Sequence, residues 1–329
     1  MVRRIYIKEY GLTLGIAGEQ FVIRRRKEVV AKVPAVDVHV IEIMTDRASV
    51  TTAAMRLAAR HGVWIVLADS LGRPVAFLEP ITRRAGITIR RRQYDMADSQ
   101  EGLLLARQLA LGKMVNQRNL LRRLVSRRKG KEDYEPLMEL YLRASEDVRA
   151  LLESTPASRQ FVMNLEARVA RFYWEAWSTI LKDFPGRRKR YENPEDPVNM
   201  ALNLGYSLLE ADCYVAIAST NLDPYAGFLH VDNPRRPALV MDFMEQFRQP
   251  VVDQIVLPMA ERGRLSMEGG GLTKDSVNAL IKAYSERLRE EATHRGRRAP
   301  MESHILFQAR HLEDRIRVGI PTYIPFTVR

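Results

Sequence analysis

Residues 81–96, ITRRAGITIRRRQYDM, divide this chain. The stretch is rich in arginine and shows neither the period of two of a strand nor the period of 3.6 of a helix, so it reads as a linker. It matters because the sequence changes character across it. Short apolar or alternating runs precede it, and long helical spacings follow it to about residue 314. The expectation is an α+β chain in two parts. A small N-terminal β-rich domain with one helix spans 1–80, the linker spans 81–96, and a larger C-terminal all-α domain spans 97–329.

On the N-terminal side, RIYIKEY, LTLGIA, QFVIRR, EVVAKV and VHVIEIM read as strands broken at Gly11, Gly18 and Pro34. One helix interrupts them in SVTTAAMRLAAR, with Ser49 as its N-cap and Gly62 at its end. VWIVLAD and PVAFLEP return to strand around a Leu71-Gly72 turn. This part holds no cluster of His, Asp and Glu at helical or turn spacing, which makes it a structural or oligomerising module.

On the C-terminal side, helical spacing or composition marks residues 97–125, 134–153, 158–182, 197–220, 238–261, 273–297 and 302–314. Gly, Pro and charge clusters separate them. Asp196-Pro197 is a helix start, with Asp as N-cap and Pro at the first helical position. The tail GIPTYIPFTVR is broken by proline and reads as an extended strap or a frayed end.

The chain has 329 residues, of which 46% are hydrophobic and 28% charged, enough for sizeable cores. Lys and Arg number 52 against 40 Asp and Glu, a net charge of +12 that favours a polyanionic partner such as nucleic acid. One cysteine, Cys213, excludes an internal disulfide and a multi-cysteine zinc site. It lies in an apolar helix and reads as a small core residue. With no signal peptide and no bilayer-length apolar run, the expected setting is cytoplasmic, without a membrane partner.

Chemistry-bearing residues concentrate after residue 160. In FVMNLEARVARFYWEAWSTI (161–180), Glu166 falls between two apolar lines on a face that should be buried. A buried carboxylate needs either a cationic partner, such as an arginine, or a metal. In GFLHVDNPRRPALVMDFMEQFRQPVVD (227–253), His230 precedes a proline-punctuated loop, and Asp242 and Glu245 share one helix face. Phe243, Phe247, Val251, Ile255 and Met259 form the buried stripe. An imidazole and carboxylates suit a Mg2+- or Mn2+-type ion. The same stretch also fits a helix whose acids face water and a histidine that caps a turn. The nearly all-apolar helix NMALNLGYSLLEADCYVAIA (199–218) should be central, with Asn203 and Tyr206 one turn apart in a polar pocket or as buried hydrogen-bonding groups. Arg187, Arg188, Lys189 and Arg190 form either a phosphate contact or a solvated charge run, and Trp174 and Trp177 can stack on bases or fill the core. No phosphate-binding glycine loop, G-x-S-x-G elbow or H-E-x-x-H pair is present.

Three motifs in order resemble a known family. They are Glu166 through Trp174, Leu222-Asp223-Pro224 with Gly227-Phe228-Leu229-His230, and Asp242-x-x-Glu245-x-x-Arg248 followed by Val251-Val252-Asp253. The family is the integrase and metal-dependent DNase of CRISPR spacer acquisition, the first-numbered CRISPR-associated protein. SVTTAAMRLAARHGVWIVLADSLGRPVAF is similar to its N-terminal domain and GKMVNQRNLL to its first long helix. The sequence departs from the family pattern at Ala167, where glycine is common, and at Glu245, where some relatives carry Asp.

The resemblance implies a dimerising N-terminal domain and a helical catalytic domain. It implies Mg2+ or Mn2+ held by Glu166, His230 and Glu245, with Asp242 alongside. It also implies double-stranded DNA as substrate, and a small ferredoxin-like companion protein that forms a heterocomplex. The reaction expected from it is attack of a DNA 3′-hydroxyl, or water, on a phosphodiester. Candidate DNA contacts are Lys113 and Asn116 on the first long helix, Tyr206, Arg248, and Arg187 to Arg190; Arg248 can instead pair with Glu245. Integration with a partner, stand-alone nuclease action and non-catalytic DNA binding are the three readings. The ordered Glu166, His230 and Glu245 set argues against the last.

Overall fold

A computed structural model describes residues 3–69, 72, 74–80, 86–188, 194–230, 236–318 and 322–328. The chain divides into two compact units, Met1–Arg84 and Ala85–Arg329.

In the first unit, strands β1 (Arg3–Ile7), β5 (Val38–Ile43) and β7 (Trp64–Ala68) pair in parallel, and β8 (Pro74–Leu78) closes that sheet antiparallel to β7. In the second sheet, β2 (Leu12–Ala17), β3 (Gln20–Arg25) and β4 (Glu28–Pro34) form an antiparallel meander, and the short β6 (Ser49–Val50) runs parallel to β2. Helix α1 (Thr52–Arg60) contributes Ala54, Leu57 and Ala58 to a core shared with Ile5, Ile7, Leu14, Phe21, Ile41 and Ile43. Each such large apolar side chain, fully buried, adds roughly 1.5–3 kcal/mol. Thr51, not Ser49, caps α1. Pairing with β2 keeps Ser49 extended, and the Thr51 hydroxyl accepts from the Ala54 N–H at 3.2 Å.

The second unit is mainly helical and begins inside the expected linker. Residues Ile87–Ala97 form helix α2. Its inward face is Ile89, Gln93 and Met96, at i, i+4 and i+7. A glutamine in the middle hides the period, yet it is buried for a reason. Gln93 Nε2 donates to the Asp223 and Ala226 carbonyls at 2.9 and 2.8 Å, and its Oε1 accepts from the Asp223 N–H at 2.8 Å. Gln93 thus folds the turn that leads to His230.

Helices α3 (Gln100–Arg128), α4 (Tyr134–Glu153) and α5 (Arg159–Ile180) pack against one another. Helix α6 (Pro197–Ala218) is buried along nearly its whole length, Cys213 included, and the Asp196 carboxylate caps it by accepting from the Asn199 N–H at 2.8 Å. Helix α7 (Ala238–Phe247) runs into a single π turn, Arg248–Asp253, and continues as α8 (Gln254–Glu261). Pro250 has no N–H to offer the Gln246 carbonyl one turn back. That carbonyl accepts from Asn116 Nδ2 at 2.8 Å instead.

Two small hairpins correct the expectation of an all-α second domain. β9 (Met267–Glu268) pairs with β10 (Gly271–Leu272), and β11 (Glu291–His294) with β12 (Arg297–Pro300). The expected helix over 273–297 stops at Arg289, as α9 (Lys274–Arg289). Positive φ at both Arg295 and Gly296 makes a two-residue turn suited to a hairpin. Helix α10 (Met301–Val318) follows.

Residues 322–328 form an extended strap, not a frayed end. Gln108, Asn116, Asn119, Gln246, His294 and His311 hydrogen-bond to its backbone, and its own Tyr323 and Phe326 side chains are buried. Among the described residues, no helix is long and apolar enough to cross a membrane.

Candidate active site

Helices α3, α5 and α7 bring three charged side chains together. Lys113 of α3 forms ion pairs with Glu166 of α5 and with Glu245 of α7, the latter at 2.9 Å. The first turn of the π segment adds Arg248, whose guanidinium lies 3.1 Å from the other oxygen of Glu245. Arg248 therefore does pair with Glu245, three residues back. Glu245 is the most enclosed of the four, with 6% of its side chain exposed, against 14% for Lys113, 19% for Glu166 and 24% for Arg248. Burial opposes its charge, but Arg248, Lys113 and His230 overcome that and hold its carboxyl at about 2. Burial likewise opposes the Lys113 ammonium, and Glu166 and Glu245 more than compensate, so its affinity for the proton rises.

Asp242 lies one helical turn before Glu245 and is fully buried, with a different task from the one expected of it. One of its oxygens accepts from the Phe228 and Leu229 N–H groups at 2.6 and 2.8 Å. The other accepts from the His230 N–H at 2.9 Å and contacts His230 Nδ1 at 2.5 Å. Four donors occupy this carboxylate, so it anchors the 228–230 turn to α7 and has no lone pair directed at an ion. With Nδ1 as donor to Asp242, Nε2 is the ring nitrogen left to act as a ligand. The Asp242 hydrogen bond also raises the histidine's proton affinity despite partial burial.

The residues fit a divalent cation chemically. Two carboxylates and an imidazole are the donors that Mg2+ or Mn2+ takes. Glu245 Oε2 is buried, with the Lys113 ammonium 2.9 Å away. Such an oxygen is stabilised by a cation. In the arrangement adopted here, however, no three His, Cys, Asp or Glu side chains among the described residues are grouped closely enough to hold a metal ion.

Beneath this cluster lies a second one. Asp253, fully buried at the end of the π turn, accepts from Tyr173 at 2.7 Å and from Tyr206 at 2.6 Å. Burial pushes its carboxyl up to about 6, against the pull of the two hydroxyls and of Arg248 and Arg187. The Arg248 and Arg187 guanidinium groups lie 4.6 and 5.4 Å from the centre of the Tyr206 ring. Close approach of α6 to the π turn makes this possible. A Cβ at Gly205 would stand 2.5 Å from Val252 Cγ1, so only glycine fits there without rearrangement. Arg187 also donates to Asn199 at 2.9 Å and, at 2.7 Å, to Asn203, one of the two polar positions expected on α6.

Several expected DNA contacts are therefore interior residues. Asn116 is 1% exposed and spends its amide on the Gln246 and Phe326 carbonyls and the Val328 N–H. Tyr206 is buried and spends its hydroxyl on Asp253. Trp177 is core, whereas Trp174 is half-buried beside Arg187. Lys113 faces the acid pair. Arg188 is exposed, and Lys189 and Arg190 lie outside the described residues.

Sequence reasoning assigned no role to Tyr173 or Asp253, although a hydroxyl and an acid inside apolar stripes signal a buried pair. Glu166 was expected inside a buried face; it is half-buried, on a helix whose Leu165 and Val169 are buried.

Comparison with known proteins places this site in context. The chain is 34% identical over 281 residues to a protein of Pyrobaculum aerophilum described as CRISPR-associated endonuclease Cas1 1, covering 84% of this chain and 88% of that one. Its fold is similar to that of a casposase bound to integration product, with a TM-score of 0.81 at 21% identity over 97% of this chain and 92% of the other. It is also similar to a chain of a Cas6-RT-Cas1–Cas2 complex, with a TM-score of 0.77 at 17% identity over 99% of this chain and 36% of the other. The family model for CRISPR associated protein Cas1 matches residues 5–286, a span that takes in both units and every residue of the site, and the chain belongs to that family.

Proposed function

We propose that the chain is a metal-dependent DNA endonuclease and integrase that inserts short duplexes into a CRISPR array, by transesterification of a DNA 3′-hydroxyl onto a repeat phosphodiester. The observation that carries this reading is the convergence of Glu166 and Glu245 from separate helices on one ammonium, that of Lys113, with the His230 ring held by Asp242, one helical turn before Glu245. Glu166, Glu245 and His230 Nε2 are the ligand set. The chemistry supplied by a bound Mg2+ or Mn2+ is polarisation of the phosphodiester and stabilisation of the leaving 3′ oxygen.

The protein's own groups do the rest. Asp242 fixes the tautomer and direction of His230. Arg248, tied to Glu245 and stacked on Tyr206, offers a pre-positioned positive charge to the phosphate. Exposed Arg188 and the adjoining basic residues bind the DNA backbone away from the reacting bond. Exchange of one phosphodiester for another requires little driving force, in keeping with the missing nucleotide-binding loop. Positioning of the 3′ end is then the main requirement, with reacting atoms about 3–3.5 Å apart.

The partners of this reading are double-stranded DNA, a second copy of the chain docked through the strand-rich unit, and a small companion protein. The likeness to a chain of a Cas1–Cas2 complex supports the last.

The test uses the purified chain with Mn2+ or Mg2+, a short duplex and a supercoiled plasmid carrying a repeat, with and without the companion. Covalent joining of 3′-hydroxyl duplexes is expected, with loss of joining and nicking in Glu166→Ala, His230→Ala and Glu245→Ala proteins. Nicking without joining in the presence of the companion leaves a nuclease only. Full activity in Glu245→Ala overturns the assignment of the site.

A further inference from the structure

The position that a divalent ion would take between Glu166 and Glu245 already holds a positive charge. Lys113 Nζ contacts Glu166 and lies 2.9 Å from Glu245 Oε2. The other oxygen of Glu245 belongs to Arg248, so Oε2 is the one on which an ion and the ammonium must compete. Two carboxylates against an ammonium and a guanidinium leave the buried cluster electrically balanced. Adding a divalent ion with Lys113 in place would put two more positive charges into this partly enclosed cluster, which restricted access to water makes costly. The lysine can leave more easily than the arginine. Its charge rides on a flexible four-carbon stem, whereas Arg248 is held by Glu245 and by the face of Tyr206.

We propose that Lys113 is a tethered cation that holds the two acids in the ion-free protein, that a divalent ion displaces it, and that the released ammonium then pairs with a phosphate of bound DNA. This rests on the metal reading above and goes beyond it. It makes ion loading and DNA binding mutually reinforcing through one side chain, since the ammonium needs a new anion once the ion has taken its old ones. In the absence of DNA the same lysine keeps the ion out.

The experiment measures Mn2+ affinity of the full chain by titration calorimetry and by the electron paramagnetic resonance signal of free Mn2+. It compares the parent protein, Lys113→Met, Lys113→Gln and Lys113→Arg, each with and without a short duplex. Circular dichroism reports folding, and Lys113→Gln keeps hydrogen-bonding capacity should the methionine variant fail to fold. Both neutral variants are expected to bind Mn2+ about tenfold more tightly than the parent without DNA, a change of about 1.4 kcal/mol. Lys113→Arg keeps the parent's weak affinity. The duplex should tighten Mn2+ binding in the parent and leave it unchanged in the neutral variants. Equal or weaker Mn2+ binding by a folded neutral variant overturns the proposal while the parent's own Mn2+ binding leaves the metal reading standing. Binding by neither parent nor variants removes both.

Discussion

Asp253→Asn tests the buried cluster beneath the site through the pH dependence of stability. Asp253 is fully buried, and burial raises its carboxyl from 3.8 to about 6 even though Tyr173 and Tyr206 both donate to it. A displacement from 3.8 to about 6 is worth about 3 kcal/mol. The folded protein binds this proton more tightly than the unfolded chain does. Between these two values the native state therefore carries more protons, and stability falls as pH rises. Below about 3.8 and above about 6 the contribution is flat. Asparagine does not titrate, so the difference between the two proteins isolates Asp253 from every other group. Urea unfolding of both proteins at intervals from pH ~4 to pH ~7 is the assay. The parent should lose about 3 kcal/mol relative to the variant across that range. A pH-independent offset of about 1–3 kcal/mol, from the tyrosine left without its acceptor, is superimposed. A constant difference across the window would refute the reasoning, because it would mean that Asp253 pays no desolvation penalty when charged.

Three further outcomes are expected. In Gly112→Ala, the new Cβ would stand 2.7 Å from Pro325 Cβ and 2.9 Å from Gln246 Cβ, so the strap must shift at a cost of about 1–3 kcal/mol; an unchanged thermal midpoint would contradict the observed packing. DNA affinity should fall with salt, and Arg188→Ala should flatten the log–log slope by about 0.9 if that exposed side chain neutralises one duplex phosphate; a salt-independent affinity would argue against backbone binding altogether. The isolated N-terminal unit, which has its own core, should self-associate in sedimentation at micromolar concentration, and a monomer there would remove its proposed dimerising role.

The outline of this protein was legible where the information is local. Alternating apolar residues announced the strands of the first unit, because side-chain direction in a strand repeats every two residues. Asp196-Pro197 announced the start of α6 because capping needs only a carboxylate and a free N–H three residues on. The order of the motifs around Glu166, His230 and Glu245 was enough to mark the resemblance to the Cas1 family, because a motif is read along the chain.

Other features depended on atoms far apart in the chain. All of α2 but its last residue reads as linker in the sequence because its buried centre is Gln93, polar until the turn at Asp223 and Ala226 folds onto it. Asn116 reads as a surface amide until Pro250 leaves the Gln246 carbonyl without its helical donor. The hold of Asp242 on the 228–230 turn emerges only when that turn closes on its oxygens, and the pairing of Lys113 with two acids only when α3 brings it between them. Periodicity and capping are written within one turn of chain. The partner of a buried polar group is chosen by the packing of whole helices, and only the tertiary structure supplies it.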